Sequence, residues 1–366
     1  MSVEFIGYIG NQNGSETIQP EGPVIDLAHI EAAARIHEQG GFDRTLFAFH
    51  SNSPESILIA QYAASVTERL GLMIAHRPGF NAPTILARQL ATLDHITKGR
   101  VSVHIITGGS DLELAADGDR TTKAERYART SEYLDVVRQE WTASAPFDYD
   151  GQYYTVRGAH SAVKPVQPAG IPVYFGGSSP EAITVAGKHA DIYALWGETL
   201  EQVREAIAVV RDAAAAHGRS PRFSLSLRPI VADTEEAAWA RADAVLEQAK
   251  ALNARTGFSR PAEVPNEGSR RLLAAAAQGT RLDKRLWTGI AALNGAKGNS
   301  TSLVGTPDQV ADAMLDYYRL GISTFLMRGF DPLADAAIYG RDLIPRVRAL
   351  VAAEDAHARV RLQAAE

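Results

Sequence analysis

Short apolar runs alternate with amphipathic helical patterns along nearly the whole chain, and this alternation limits the folds open to it. Eight of these runs have the length and character of buried strands, and helical patterns separate most of them. Parallel strands need such crossover connections. The pattern therefore predicts a (β/α)8 TIM barrel, with a doubly wound open sheet as the alternative. No GxGxxG turn follows the first strand, which disfavours a dinucleotide-binding open sheet.

The predicted strands lie at residues 3–9, 44–49, 72–76, 101–106, 171–175, 192–196, 222–231 and 322–327. A β-hairpin is predicted at residues 147–156, around Asp150 and Gly151. Two insertions at the C-terminal face, 107–123 and 253–302, and a helical tail at 332–366 complete a single domain over residues 1–366. Because long insertions in compact folds are usually functional or disordered, we expect residues 253–302 to form a mobile lid.

Composition argues against several classes of partner. The chain has a formal net charge of −6 and no basic stripe, so neither nucleic acid nor a membrane surface is an expected partner. No apolar run approaches the ~20 residues that span a bilayer, and the N-terminal residues lack the basic start of a secretory signal. Cysteine is absent, which excludes disulfides and thiolate metal sites. We expect a cytoplasmic protein.

The turn Gly176–Ser179 joins a predicted strand to a predicted helix at residues 180–189. Glycines allow close approach of the backbone, and the N–H groups and dipole at a helix N-terminus favour an anion. The same residues also fit an ordinary strand-to-helix turn in which Ser is the N-cap. The stretch alone leaves both interpretations open.

In a parallel barrel the active site lies at the C-terminal ends of the strands. These ends are rich in cations and hydrogen-bond donors, with hardly any carboxylate, which disfavours hydrolysis by paired carboxylates. HExxH, GxSxG and GxxxxGK[ST] motifs are absent, and no histidines have metal-ligand spacing, so no metal is predicted. The candidates are Asn11, His50, His76, Arg77, Thr107, Gly176–Ser179, Trp196, Arg228 and Arg328.

Two arginines at strand ends have two interpretations each. Arg228 occupies a position that the strand pattern buries, just before Pro229. A buried guanidinium needs a partner, so Arg228 either pairs with a carboxylate or contacts a ligand. The same alternatives apply to Arg328. Trp196 can line a pocket or simply pack, and Lys297, in the glycine-rich part of the lid candidate, can be solvated or functional.

Several motifs, in this order, resemble the bacterial luciferase-like flavin monooxygenases, and among them the two-component alkanesulfonate monooxygenases. The motifs are HRPGFNAPTILARQLATLDHITKGR (76–100), HIITGGS (104–110), AERYART (124–130), PVYFGGSS (172–179), DIYALWGE (191–198), GNSTSLVGTPDQVA (298–311) and GISTFLMRGFDPL (321–333). The match extends from the first strand to about Arg346.

The resemblance implies a (β/α)8 barrel that uses reduced FMN (FMNH2) and O2. A separate NAD(P)H:FMN reductase would supply the reduced flavin. Oxygen added to the flavin would be transferred to the carbon that bears a sulfonate, so that sulfite leaves and an aldehyde remains. A homodimer or homotetramer would be the usual assembly.

Residues are carried over where the motifs match. Tyr127, Ser178 and Ser179 would hold the FMN phosphate, and Thr107 would lie beside the isoalloxazine ring. Trp196 matches a Trp at the barrel mouth. The expected cofactor-binding residues are His76, Thr107, Tyr127, Gly176, Gly177, Ser178 and Ser179.

The substrate side departs from the alkanesulfonate monooxygenases. Ser53 stands in place of a Cys, residues 226–228 read Ser-Leu-Arg in place of Arg-x-His, and Phe330 replaces a Tyr. The Arg of their mobile loop falls near Ala296, with Lys297 adjacent. The substrate is therefore not expected to be a simple linear alkanesulfonate.

Cations remain available to clamp a sulfonate, and additional polar groups favour a hydroxylated one such as sulfoquinovose. The expected substrate-binding residues are Trp196, Arg228, Arg328, Asn52 and Lys297. The expected catalytic residues are His50, Arg228 and Trp196. The proton donor or base remains open among His50, Arg228 and Tyr127.

Three alternatives share this barrel. A coenzyme F420-dependent oxidoreductase would transfer hydride without O2. A non-catalytic flavin-binding barrel would consume no O2 in response to substrate. A monooxygenase of the dimethyl sulfone or pyrimidine type would act on a neutral substrate, which does not need two arginines.

Overall fold

Eight parallel strands close into a barrel, in the order β1-β14-β9-β8-β7-β4-β3-β2. The structure, a computed structural model, describes residues 3–256, 266–296, 298 and 300–363. For residues 362 and 363 it describes the backbone only. The predicted (β/α)8 barrel is confirmed, and the open-sheet alternative is excluded because the sheet has no free edge.

Within the described residues the strands are β1 (Glu4–Tyr8), β2 (Arg44–Phe47), β3 (Gly71–His76), β4 (Val101–Ile105), β5 (Phe147–Asp150), β6 (Thr155–Ala159), β7 (Val173–Gly176), β8 (Ile192–Trp196), β9 (Arg222–Leu227), β10 (Ile230–Val231), β11 (Arg281–Leu282), β12 (Leu286–Trp287), β13 (Ser302–Gly305) and β14 (Ile322–Met327). The α-helices of the same residues are α1 (Leu27–Gln39), α2 (Ser56–Ser65), α3 (Pro83–Ile96), α4 (Asp111–Ala116), α5 (Lys123–Thr142), α6 (Pro180–His189), α7 (Leu200–Ala215), α8 (Glu235–Thr256), α9 (Glu267–Gln278), α10 (Gly289–Asn294), α11 (Pro307–Leu320), α12 (Pro332–Ile338) and α13 (Ile344–Gln363), with a π-helical turn at Tyr339–Leu343.

The chain divides into two compact units. The first unit comprises Met1–Thr45, Ala194–Ala208 and Arg222–Glu366, and the second comprises Leu46–Tyr193 and Val209–Pro221. In the first unit, β14 pairs in parallel with both β1 and β9. Phe5 of β1 and Phe325 of β14 are buried and stack with ring centroids 6.2 Å apart.

The second unit pairs β4 in parallel with β3 and β7. Its strand β3 is buried along its whole length, as expected of a parallel strand covered on both faces. The predicted hairpin is confirmed: β5 and β6 are antiparallel, and Asp150 lies opposite Thr155.

The predicted seventh strand, residues 222–231, is broken. β9 ends at Leu227, and β10 leaves the barrel to pair with β13 in a separate four-stranded sheet. Pro229 has no N–H group and cannot continue a strand ladder. The N–H group of Arg228 instead donates to the carbonyl of Thr301 at 2.9 Å. The strand break therefore sets Arg228 apart from both sheets.

The predicted irregular insertion, residues 253–302, contains more regular structure than expected. Helices α9 and α10 and strands β11 and β12 lie within it. Ser269 of α9 donates to the carbonyl of Ala296 at 2.9 Å. Residues 257–265, 297 and 299 lie outside the described part of the chain, and the mobility of the segment stays a prediction.

The insertion at residues 107–123 is held by arginines of the following helix. It contains the short helix α4, and Arg126 and Arg129 of α5 pair with Asp111 and Asp119 of the insertion. In the described part of the chain no helix has the length and apolar character needed to cross a membrane.

Candidate active site

The turn after β7 forms a narrow backbone cradle in the second unit. Gly177 has φ +135°, a conformation that L side chains rarely adopt. A Cβ atom on Gly177 would lie 2.8 Å from Cβ of Ala182 and 3.2 Å from Oη of Tyr127. Only glycine fits here without a shift of its neighbours. We call Gly176–Ser179 together with Tyr127 the cradle.

Helix α6 begins at the cradle. Ser179 is its N-cap, and its Oγ accepts from the N–H group of Ala182 at 3.4 Å. Pro180 occupies the first helical turn, where its missing N–H group costs nothing. The N-cap interpretation of this serine is confirmed. An N-cap serine is compatible with anion binding, because a helix N-terminus has more N–H groups than its cap can satisfy.

Tyr127 reaches the cradle from α5. Burial raises the pKa of its hydroxyl, and a hydrogen bond with Ser179 opposes this rise. Tyr127 therefore stays a neutral donor at physiological pH. Tyr193 Oη donates to the carbonyl of Gly177 at 2.5 Å. The structure thus brings Tyr127, Gly177 and Ser179 together.

Two further sequence candidates of the second unit are buried. His76 Nε2 lies 3.0 Å from Oη of Tyr133, and the two rings stack. Burial lowers the pKa of His76 to about 3, so its ring is neutral. Thr107 Oγ1 lies 3.4 Å from Oγ1 of Thr130. Their assignment to a cofactor stays a prediction.

The loop after β2 presents His50. Ser53 Oγ accepts from the N–H group of His50 at 2.9 Å and donates to its carbonyl at 3.0 Å, which closes a tight turn. The His50 side chain is 62% exposed, and its Nδ1 lies 3.5 Å from Oε1 of Glu113. Asn52, between His50 and Ser53, is exposed.

Arg77 connects this loop to α4. Its side chain is only 3% exposed, its Nη2 donates to Glu113 at 2.8 Å, and its Nη1 lies 3.6 Å from Asp117. Its guanidinium also lies over the ring of Phe49 at 5.1 Å. A hydrogen bond with His50, opposed by burial and aided by Arg77, lowers the pKa of Glu113 to about 2. Glu113 is therefore a carboxylate.

In the first unit, Arg228 is fully buried. Its Nη1 lies 2.7 Å from Oε2 of Glu16, its Nη2 donates to the carbonyl of Gly329 at 3.0 Å, and its guanidinium lies 3.7 Å from the ring centroid of Phe330. Of the two interpretations, pairing with a carboxylate is the one that the structure shows. Contact with a ligand stays a prediction.

Glu16 also faces the second arginine. Nη2 of Arg328 lies 3.8 Å from Oε2 of Glu16, and its guanidinium lies over the ring of Tyr8 at 4.7 Å. Burial disfavours the charged Glu16 carboxyl, but Arg228 and Arg328 outweigh it and lower its pKa to about 2. We call Glu16, Arg228 and Arg328 the arginine cluster, and its net charge is +1.

Two carboxylates contact the candidate cations, although neither carboxylate stands at a strand end. Glu16 lies in the loop between β1 and α1, and Glu113 lies on an insertion. Neither residue directly follows a strand, so the strand-end rule did not identify them. A search for acidic residues anywhere in the loops that follow strands would have found both.

Trp196 ends β8 in the first unit. A Cβ atom on Gly268 would lie 2.8 Å from Cζ3 of Trp196, and the indole packs against a small apolar cluster of α9 and α10. Packing is thus shown for Trp196, and substrate contact stays a prediction. Lys297 lies outside the described residues. Among those that the structure describes, no group of His, Cys, Asp or Glu could hold a metal ion.

A comparison with protein families decides the membership of the chain. The sequence model described as luciferase-like monooxygenase matches residues 3–324. The chain belongs to the luciferase-like monooxygenase family. The resemblance at the level of this family is confirmed, whereas the narrower alkanesulfonate group is not shown.

Solved structures of similar fold include three with TM-scores of 0.76 or 0.77. Riboflavin lyase RcaE, solved with modified FMN and riboflavin, has a TM-score of 0.77 and 20% identity, over 95% of this chain and 92% of its own. EDTA monooxygenase EmoA from Chelativorans sp. BNC1 has a TM-score of 0.76 and 20% identity, over 95% of this chain and 94% of its own. DmoA from Hyphomicrobium sulfonivorans has a TM-score of 0.76 and 21% identity, over 95% of this chain and 88% of its own. Similarity at this identity shows the shared fold.

Proposed function

We propose that this luciferase-like monooxygenase is an FMNH2-dependent, two-component enzyme that cleaves the C–S bond of an organosulfonate. The overall reaction converts the sulfonate R–CH2–SO3⁻, O2 and FMNH2 into the aldehyde R–CHO, HSO3⁻, FMN and H2O. A separate NAD(P)H:FMN reductase is the proposed partner that supplies the reduced flavin.

The cradle is the observation that carries the flavin assignment. The glycine at position 177 leaves a gap between the backbone and Oη of Tyr127 that a Cβ atom would fill. N–H groups at the start of α6 and the hydroxyls of Tyr127 and Ser178 would hold a phosphate there. FMN carries a terminal phosphate, and RcaE, which has the same fold, was solved with modified FMN. Bound reduced flavin would supply the electrons that activate O2.

The arginine cluster supports an anionic substrate. Its net charge of +1 resides on Arg328, whose side chain is 27% exposed, and it matches the single negative charge of a sulfonate. Arg228, which is buried and ion-paired, is proposed to act by holding Glu16 and Arg328. EDTA monooxygenase, whose name gives an anionic substrate, has the same fold.

The remaining substrate contacts stay proposals. We propose Trp196, Asn52 and Lys297 as further contacts, and His50 as the group that accepts a proton. The carboxylate of Glu16 could accept a hydrogen bond from a substrate hydroxyl, which supports a hydroxylated sulfonate such as sulfoquinovose.

The test is sulfite release by the purified chain with FMN, NADH and a generic flavin reductase. We expect sulfite from a sulfonate, strict dependence on O2, and no product from the neutral dimethyl sulfone. Arg328→Gln should raise the KM for the sulfonate about 10-fold or more, because the substrate loses one charge-assisted hydrogen bond. The exposed Arg35→Gln should leave KM unchanged.

Three outcomes would contradict the proposal. Release of no sulfite from sulfoquinovose or from a panel of alkanesulfonates would exclude desulfonation. Turnover without O2 would favour an F420-type hydride transfer. FMN binding without any substrate-dependent O2 consumption would favour a non-catalytic flavin-binding barrel.

A further inference from the structure

Glu113 gathers two donors and one imidazole nitrogen around a single carboxylate oxygen. Its Oε1 accepts from the N–H group of Ser51 at 3.1 Å and from Nη2 of Arg77 at 2.8 Å, and it lies 3.5 Å from Nδ1 of His50. The donors come from the loop after β2 and the residue after β3, whereas Glu113 itself belongs to α4. Among the described residues, Glu113 is the acceptor that faces the His50 imidazole, and it lies on the Nδ1 side.

We propose that Glu113 is a positioning residue that holds His50 in the Nδ1–H tautomer, so that Nε2 is left as the proton acceptor. Arg77 in turn holds Glu113. The second part of the inference, proton transfer at Nε2, rests on the function proposed above. The first part, the tautomer, does not.

The geometry supports a carboxylate that is fixed rather than mobile. Arg77 is buried and packs over Phe49, so its guanidinium cannot swing away from Glu113 without losing that contact. The charged groups around His50 are Glu113, Arg77 and, beyond it, Asp117 at 3.6 Å from Nη1 of Arg77. Of these three groups, the ionised oxygen of Glu113 is the one that faces Nδ1, and it favours an N–H group on that side of the imidazole.

The tautomer determines which proton His50 can take. Once the sulfonate-bearing carbon carries a hydroxyl group, Nε2 accepts the hydroxyl proton. The O–H electron pair becomes the second C–O bond of the aldehyde, and the C–S bond breaks with its electron pair, which leaves on sulfite. The step is redox-neutral, and Glu113 stays ionised throughout. A histidine in the Nε2–H tautomer could not accept this proton at Nε2.

The experiment measures the tautomer directly, through the ¹⁵N chemical shifts of the imidazole nitrogens. His50→Ala assigns the signal. We expect the Nδ1–H tautomer in the wild-type chain and in Glu113→Gln, whose amide oxygen still accepts. We expect its loss in Glu113→Ala. Asp117→Ala is the matched control, because Asp117 contacts Arg77 but not His50, and it should leave the tautomer unchanged.

Kinetics then test whether Glu113 acts through His50. Glu113→Ala should lower kcat for sulfite release about 10-fold or more and leave KM unchanged. Loss of a general base itself would lower the rate by more, about 100-fold to 10,000-fold. In the His50→Ala background, Glu113→Ala should have no further effect, because residues that act through one another are non-additive. FMN affinity should be the same in all of these variants.

Two results would overturn the inference: an unchanged tautomer in Glu113→Ala, or a further loss of kcat when Glu113→Ala is added to His50→Ala. If the wild-type chain releases no sulfite, the proposed function fails, and the tautomer measurement still decides the role of Glu113. Glu113→Gln keeps an acceptor for Ser51, Arg77 and His50. It is therefore the folded reference against which a loss of the tautomer or of kcat in Glu113→Ala is judged.

Discussion

At the scale of single residues, the arginine cluster shows how a buried charge is tolerated. Arg228 has no exposed surface, and an isolated guanidinium there would be strongly destabilising. Glu16 supplies the opposite charge, and Ser15 and Thr17 hold its loop by donating to the carbonyl of Phe330 at 2.6 and 3.2 Å. The pair therefore depends on two parts of the chain that both contact Phe330.

Removal of this carboxylate should destabilise the protein. We expect Glu16→Gln to lower the free energy of unfolding by about 3 kcal/mol, because it leaves Arg228 buried without a counter-ion. Urea denaturation at pH 7 measures the loss. Glu21→Gln, an exposed residue of the same loop, is the control and should change stability by less than about 0.5 kcal/mol.

The same pair has a pH signature. The pKa of Glu16 is lowered to about 2 in the folded protein from 4.5, so its stabilisation is complete above pH 4.5. As the pH falls from 4.5 towards 2, the unfolded chain takes up this proton first and the stabilisation is lost. The penalty of Glu16→Gln should therefore shrink over this range. A penalty that stays constant there would contradict the ion pair.

Residue-level prediction succeeded where a residue type is unusual for its position. A charged residue at a buried strand end, such as Arg228, must have a partner, and the sequence shows this. The identity of the partner could not be predicted, because Glu16 lies in an irregular loop whose path depends on tertiary contacts. The same reason explains why Glu113 was not predicted.

At the scale of secondary-structure elements, α6 and α11 begin in the same way. Ser179 and Thr306 are N-caps, and each is followed by a Pro in the first turn. The helix at residues 180–189 was predicted, and a start of this kind can be identified in a sequence because N-caps and Pro act locally. Only α6 begins at the cradle, so the two helices form a matched pair for a test.

We expect Ser179→Ala and Thr306→Ala each to lower the free energy of unfolding by about 1 kcal/mol through loss of the cap. Only Ser179→Ala should also weaken FMN binding, because its hydroxyl contacts Tyr127 of the cradle. Flavin fluorescence titration and thermal unfolding separate the two effects. Equal FMN affinity in both variants would argue against the cradle as the phosphate site.

The elements that prediction missed have a common cause. The break after β9, the short strand β10 and the small strands β11 and β12 carry too few residues for a periodic pattern, and they are stabilised by pairing with distant segments. Long-range pairing of this kind has no local signal.

At the scale of the whole molecule, buried histidines control stability in mild acid. In the described part of the chain, burial lowers the pKa of five histidines. His29 is one of them, and the shift is largest for the other four, whose pKa falls to about 4 for His37 and His104 and to about 3 for His76 and His189. The unfolded chain would protonate these rings near pH 6.5, where the folded chain does not. Each ring therefore favours unfolding as the pH falls below 6.5.

The expected slope is steep. Each of these other four histidines contributes about 1.4 kcal/mol per pH unit between pH 6 and 4.5, so together they contribute about 5 kcal/mol per unit. Urea midpoints between pH 7.5 and 5 measure it. His189→Gln, which can keep the bond to Ser131, should lower the slope by about a quarter. A stability that is flat down to pH 5 would contradict the buried, neutral rings.

We also expect the chain to self-associate through α2 and α3. A surface groove of about 350 Å³ lies between them, and the residues that line it include the exposed Leu58, Ile85 and Ile96. Helix α2 contains no charged residue. An exposed apolar surface of this kind marks an interaction site, and in a two-fold dimer the same surface of each copy forms the contact. A second copy is the occupant that the expected homodimer or homotetramer implies.

Leu58→Glu should lower the mass measured by light scattering at micromolar concentration, because it buries a charge at the contact. Val209→Glu, at an exposed apolar residue of α7, should leave the mass unchanged. A monomeric mass for the wild-type chain would exclude a second copy of the chain as the molecule that covers the groove. Loss of reductase binding in Leu58→Glu, with the mass unchanged, would assign the groove to the reductase.

The ion pair of Glu16 and Arg228 has an evolutionary consequence. Neither residue can be replaced alone without a large loss of stability, because a substitution of either leaves the other as a buried charge. Homologues that have moved to a different substrate should therefore have changed both positions together. Co-variation of these two sites across an alignment would mark the lineages that share this ion pair, and it would separate them from relatives that lack it within the same barrel.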